Sequence, residues 1–151
     1  MNTPAYGYFL HSAEYAGVDV LHSPLKKKPD GTFELDYENF EQQCANPQCK
    51  MVFWCNPQNP TGRMWTEEEL RRIAAIVEKY NLWIVSDEIH CDLIRCGRKH
   101  IPMAKVMTDY PKLITCMAPS KTFNLAGLAF SNIITVSYTH LRAHETSLHL
   151  V

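Results

Sequence analysis

KMVFWCNPQNPTGRMWTEEELRRIAAIVEKYNLWIVSD, Lys50 to Asp87, decides the fold. Lys50 to Cys55 is a short apolar run that suits a buried strand. Thr66 and Glu69 form T-x-x-E, a capping box in which two otherwise unpaired N–H groups of a first helical turn are satisfied reciprocally. Behind it Leu70, Ile73, Ala74, Val77 and Tyr80 recur at the helical period. Trp83 to Ser86 is a second buried run and ends at Asp87. Strand, helix, strand in that order needs a crossover, so the two strands lie parallel. The expected fold is α/β, a mainly parallel sheet with helices on both faces.

Outward from this core, Ala5 to Ala16 sets Phe9, Leu10, Ala13 and Ala16 on one helical face, and Gly17 supplies a stop. Val18 to Leu21 reads as a short strand. Ser23 to Phe33, with Lys26-Lys27-Lys28 and Pro29-Asp30-Gly31, reads as a solvated connection containing a turn. Asp36 can cap a helix through about Gln43. Leu113 to Met117 is a third strand, and Ala129 to Thr135 is a candidate fourth. Val136 to Val151 (VSYTHLRAHETSLHLV) continues none of these patterns. It resembles a translated sequencing adapter and reads as a non-native tail. His140 and His144 in it lie at i, i+4, but no carboxylate or cysteine joins them at a metal-binding spacing, so no metal site is expected.

Composition narrows the function classes. Fifteen basic side chains against sixteen acidic ones give a net charge of −1, which leaves no footprint for nucleic acid or an anionic membrane. The apolar runs are too short to span a bilayer. Met1-Asn2-Thr3-Pro4 lacks a signal-peptide pattern, so a cytoplasmic location is the default expectation. The six cysteines form no C-x-x-C pair and read as scattered reduced thiols.

In an open α/β sheet, ligands gather beyond the carboxyl ends of the strands. Asn59 follows the first buried strand, Asp87 ends the second, and Lys121 follows the third. A lysine amine can form a Schiff base with an aldehyde cofactor. A buried carboxylate stabilises a protonated pyridine nitrogen, the partner expected in a pyridoxal phosphate (PLP) site. Asn59, in a turn rich in Pro and Gly, can donate to a phenolate oxygen. Singly, the turn is an ordinary turn, the Asp an ordinary helix cap, and Ser120-Lys121 carries little. Their order at three successive strand ends carries the reading.

With those segments in view, residues 3 to 135 resemble fold-type I PLP enzymes of the class I/II aminotransferase superfamily. NPQNPTGR (Asn56 to Arg63) with Trp65, SDEIH (Ser86 to His90), PSKTFNLAG (Pro119 to Gly127) and TPAY (Thr3 to Tyr6) read like the cystathionine β-lyase-like C–S lyases of the MalY/PatB branch. The resemblance implies that residues 1–135 are part of a large PLP-binding domain. It implies that Lys121 carries PLP, Asp87 binds the ring nitrogen, Asn59 binds the phenolate oxygen, Tyr6 stacks on the ring and Ser120 lies near the phosphate. His90 stands where many aminotransferases have a phenolate-contacting Tyr, and Ala129 where they often have a phosphate-binding Arg. Both departures favour the lyase branch. The implied phosphate loop belongs upstream of this stretch and the implied carboxylate-binding Arg downstream.

The implied reaction is β-elimination from a small sulfur amino acid to pyruvate, ammonia and a thiol, in a homodimeric enzyme. Two other functions stay open: a class I/II aminotransferase, and an aminotransferase-like PLP-sensing domain of a transcription regulator. Tyr6 keeps the alternative of a core aromatic, and His90 that of a satisfied structural residue.

Overall fold

A computed structural model describes residues 1–95 and 97–135. Three parallel strands and one antiparallel strand form the central sheet in the order β5 (Met51–Cys55), β6 (Trp83–Asp87), β7 (Leu113–Met117) and β8 (Asn132–Thr135). The sheet is thus mainly parallel, as the βαβ pattern requires. Ahead of it lie β1 (Asn2–Thr3), α1 (Gly7–Tyr15), β2 (Ser23–Pro24), β3 (Lys26–Lys27), β4 (Phe33–Glu34) and α2 (Tyr37–Cys44). Between the sheet strands come α3 (Glu67–Lys79) and the single turn α4 (Met103–Val106).

Strand period puts Val52, Ile84 and Leu113 in register on one face, and Trp54, Ser86 and Thr115 one step along the same face. All six are at least 96% buried. Leu70, Ile73, Ala74 and Val77 of α3 pack into that core with Phe40 and Cys44 of α2. Fully burying side chains of the Leu, Ile and Val type stabilises by roughly 1.5–3 kcal/mol each, which makes this face the main source of stability. The opposite face carries Phe53, Val85 and Ile114, all half-buried, and α1 covers part of it through Phe9, 5.4 Å from the Phe53 ring centroid. Helices therefore lie on both faces, unequally.

Both halves of the Thr66–Glu69 capping box are formed, and Asp36 caps α2 by accepting from Asn39 N–H at 3.2 Å. Helix α3 ends with Asn81 at φ +53, a left-handed conformation that Asn tolerates better than most residues. Leu82 N–H then reaches back to Val77 and Asn81 N–H to Glu78, closing a Schellman cap.

Three expectations for the connecting segments are corrected. Val18 to Leu21 is not a strand: Gly17 N–H donates to Glu14 and Val18 N–H to Ala13, so its first residue is consumed in the cap of α1. Leu21 C=O is taken by the N-terminal ammonium at 2.7 Å, and the ladder forms later, as β2 beside β1. Ser23 to Phe33 is more than a connection, because β3 and β4 pair as a hairpin around Gly31 at φ +84. The fourth strand is shorter than Ala129 to Thr135, because Ala126–Leu128 is a 3₁₀ turn closed by Ala129 at φ +49. The expected tail, 136–151, and Cys96 lie outside the described residues. The other five cysteines are free thiols. Among the described residues no helix is long and apolar enough to cross a membrane.

Candidate functional site at the strand ends

Cys55, Asp87 and Cys116 are register partners, so the loops leaving β5, β6 and β7 start side by side. The first loop is pinned at many points. Asn56 N–H donates to Asp87 C=O at 2.9 Å and Asn56 Nδ2 to Ile101 C=O at 2.9 Å. Gln58 and Arg63 pair across the turn, with Gly62 at φ +69, a conformation that glycine adopts at no steric cost. Gln58 Oε1 accepts from Thr61, while its Nε2 donates to Pro4 C=O at 2.7 Å. That last bond ties the turn carrying Asn59 to the segment carrying Tyr6. Cys55 Sγ donates to Pro57 C=O at 3.1 Å and accepts from Asn59 N–H at 3.4 Å. Burial pushes this thiol up to about 12, so at neutral pH it stays protonated and serves as a strut.

The second loop begins with two carboxylates that point opposite ways. Asp87 Oδ1 accepts from Ile89 N–H at 3.1 Å, and Oδ2 has no hydrogen-bond partner among the described residues. Burial pushes the Asp87 carboxyl above the ordinary Asp value, against the pull of the Ile89 N–H and of the His90 and Lys121 charges. Burial holds the His90 imidazole below its ordinary value; Asp87 opposes this and the Lys121 charge adds to it, and the net shift favours the neutral ring. Glu88 is fully buried on the other face. It accepts from Ser86 Oγ at 2.9 Å and Met103 N–H at 2.9 Å, and its Oε2 lies 2.6 Å from His100 Nε2. The returning chain at residues 100–103 is thereby fastened beneath the end of β6.

This anchor gives a stability prediction. In the full-length protein, Glu88→Ala leaves the Met103 N–H and the Ser86 hydroxyl buried without their acceptor. At about 1–3 kcal/mol for each unpaired group, the loss should reach roughly 3 kcal/mol. A urea melt checks it; an unchanged midpoint would show that water replaces the carboxylate.

The third loop carries Lys121. Phe123 N–H donates to Pro119 C=O and Leu125 N–H to Ser120 C=O, forming a compact turn. Thr122 Oγ1 donates to Asp92 Oδ2 at 2.9 Å, which joins this loop to the one after β6. A cavity of about 260 Å³ lies where the loops meet, and Lys121, Asp87, Asn59, Tyr6, Ser120 and His90 all line it. All six residues singled out in the sequence therefore share one space. Tyr6 is 41% exposed and is not a core aromatic. The His90 ring makes no hydrogen bond among the described residues.

Five further lining residues were given no role in the sequence: Ile89, Ala118, Ala126, Phe130 and Ser131. Ile89 and Ala118 adjoin the strand ends, whereas Ala126, Phe130 and Ser131 reach the cavity only through the 3₁₀ turn and the reversal into β8, which spacing does not mark. Among the described residues no three metal-ligating side chains converge.

The profile of the family described as Aminotransferase class I and II matches residues 1–144. The chain belongs to that family. Cystathionine β-lyase PatB of Bacillus subtilis (strain 168) is 42% identical over 132 residues, 87% of this chain and 34% of that protein. Protein MalY of Escherichia coli (strain K12) is 38% identical over 128 residues, 85% of this chain and 32% of that protein. The crystal structure of a PLP-bound C–S lyase from Staphylococcus hominis superposes with a TM-score of 0.88 at 42% identity, covering 93% of this chain and 36% of that one. The chain thus spans about a third of the length of the curated relatives it matches.

Proposed function

We propose that this chain is the lysine-bearing portion of a PLP-dependent carbon–sulfur β-lyase, acting on cysteine thioethers to give pyruvate, ammonia and a thiol. The observation that carries the proposal is the shared cavity of Lys121, Asp87, Asn59 and Tyr6 in a chain so similar to a cystathionine β-lyase. The donor set fits PLP. Asp87 is a carboxylate partly stripped of water whose Oδ2 has no partner among the described residues, which is the state a pyridinium N–H would relieve. Lys121 brings an amine for the aldehyde, Asn59 an amide for the phenolate oxygen, Tyr6 an exposed ring to lie against the pyridine, and Ser120 a hydroxyl for the phosphate. The same reading makes the full-length protein a cytoplasmic homodimer with a small amino acid as substrate, and with neither nucleic acid nor membrane as partner.

When bound, PLP supplies the electron sink that makes the substrate's α-proton removable. The protein's part is proton placement. Lys121 Nζ, as a free amine, would take the proton from the substrate Cα. Asp87 would hold the protonated pyridine nitrogen, and Asn59 would donate to the phenolate oxygen. His90, neutral, sets a hydrogen-bonding ring beside both. In the substrate the Cα–H and Cβ–S bonds break and a Cα–Cβ double bond forms; the sulfur leaves as thiolate, and water completes pyruvate and ammonia.

Aminotransfer is the second reading, favoured by the family description itself, and it shares every step through loss of the α-proton. The lyase reading is supported by the PatB likeness and by His90 and Ala129 at positions where aspartate-type transaminases commonly carry Tyr and Arg. Small positional differences decide the partition, tenfold for about 1.36 kcal/mol. With L-cystathionine, the full-length enzyme should release pyruvate faster than it passes an amino group to any keto acid. A coupled pyruvate assay beside an amino-acceptor screen tests this; rapid transamination without pyruvate would establish the second reading.

A further inference from the structure

Beside the cavity runs a second, larger hollow of about 770 Å³, bounded by the β3–β4 hairpin, the Asn56–Arg63 turn and the loop after β6. Asn59 and His90 line both spaces, so the two adjoin on that side; Ser120 and Lys121 line only the first. Among the described residues the wall of the second holds Lys28, Arg63, Arg95 and Arg98 and no carboxylate. That is a marked segregation in a chain whose net charge is −1. Arg63 is already committed, forked onto Glu69 and stacked 4.1 Å from the Trp65 ring centroid. Among the described residues neither Arg95 nor Arg98 makes an ion pair, and Lys28 makes none beyond a Coulombic attraction to Asp30 of its own turn. Three cations are left facing one groove.

We infer that this groove is a subsite for the distal arm of the thioether, selecting arms that end in a carboxylate. The inference rests on the lyase reading, which puts the α-carbon at Lys121 and so sends the sulfur substituent out of the first cavity. On the Asn59–His90 side the neighbouring space is the basic groove. An anionic arm there gains charge-assisted hydrogen bonds from planar guanidinium forks, which match a carboxylate in a way an ammonium does not. With no acid among the described wall residues, a distal ammonium finds no counter-charge there. The groove should therefore prefer an acid-only arm to a zwitterionic one, and either to an apolar one.

The test compares S-(2-carboxyethyl)-L-cysteine with S-butyl-L-cysteine on the full-length enzyme, in wild type and in the double variant Arg95→Gln, Arg98→Gln. In wild type the acidic substrate should have the lower KM. In the variant that advantage should shrink about tenfold, chiefly through KM, with S-butyl-L-cysteine unaffected. Lys28→Gln, from a different part of the chain, should act in the same direction and controls for local misfolding. An unchanged KM ratio in both variants overturns the subsite. The second readout needs no turnover: calorimetric binding of 3-(methylsulfanyl)propionate, which carries the arm without the amino-acid head. It should weaken in both variants and with added salt. If neither thioether yields pyruvate but this acid still binds through the arginines, the lyase reading fails and the anion groove stands. Equal binding to wild type and variants removes the groove whatever the reaction.

Discussion

Lys121→Ala in the full-length protein should abolish the visible absorption of lysine-bound PLP and lower turnover by at least about 10²–10⁴-fold, the range for losing a positioned proton-transfer group. The expectation is this large because one amine serves two ends, holding the cofactor and moving the α-proton. Among the described residues no substitute is at hand: Lys121 is the one lysine lining the cavity. Lys28 lines the neighbouring groove but belongs to the β3–β4 hairpin, on the far side of the Asn59 turn. Borohydride reduction followed by peptide mapping reads the attachment directly. A PLP-labelled peptide centred on any other lysine, or a variant that keeps the absorption band, would remove Lys121 from this role.

The elements that sequence reads well here are those with two agreeing signals. Helix α3 has both a capping box and an apolar stripe, and the structure forms it to within a residue of the expected ends. The strands from Met51, Trp83 and Leu113 are apolar runs bounded by turn residues, and each ends where it was expected to. Because parallel strands line up their carboxyl ends, the candidate site followed from the fold: a residue just past each strand had to share a neighbourhood with the others. Val18 to Leu21 shows the limit. Its β-branched, apolar composition favours a strand, yet a strand needs a partner, and sequence does not say that Val18 N–H is already used to close α1.

Glu88 shows a signal that was present and not used. Period 2 along β6 puts it on the same face as Ile84 and Ser86, the buried one. A carboxylate extrapolated onto a buried face must have partners, because burying it unpaired is costly. Parity alone thus called for a network like the one with Ser86, His100 and Met103, although it could not name the last two. The basic groove was illegible for a different reason. Lys28, Arg95 and Arg98 lie on loops some seventy residues apart in sequence, and only the packing of the β3–β4 hairpin beside the Asn59 turn brings them to one wall.

Asp87→Asn should separate function from stability. Without a cationic ring beside it, Asp87 is a carboxylate whose ionised form the fold disfavours by burial. A raised pKa means that the native state holds the proton more tightly than the unfolded chain. The stability it contributes is present below the ordinary Asp value and is lost as pH rises through the raised one. At pH 7 the residue therefore weakens the fold of the cofactor-free protein, and a neutral amide of the same shape should leave its melting temperature equal or higher, with a flatter dependence on acid pH. Activity should move the other way. An amide cannot keep the pyridine nitrogen protonated, and losing a preorganised electrostatic stabiliser costs about 10²-fold or more in turnover. PLP itself should also raise the melting temperature of wild type more than that of the variant, since only the carboxylate gains a counter-charge on binding. Melts with and without PLP at several pH values, run beside the pyruvate assay, resolve the three effects. A variant that melts lower without cofactor but turns over normally would make Asp87 a structural residue and refute its pairing with the ring nitrogen.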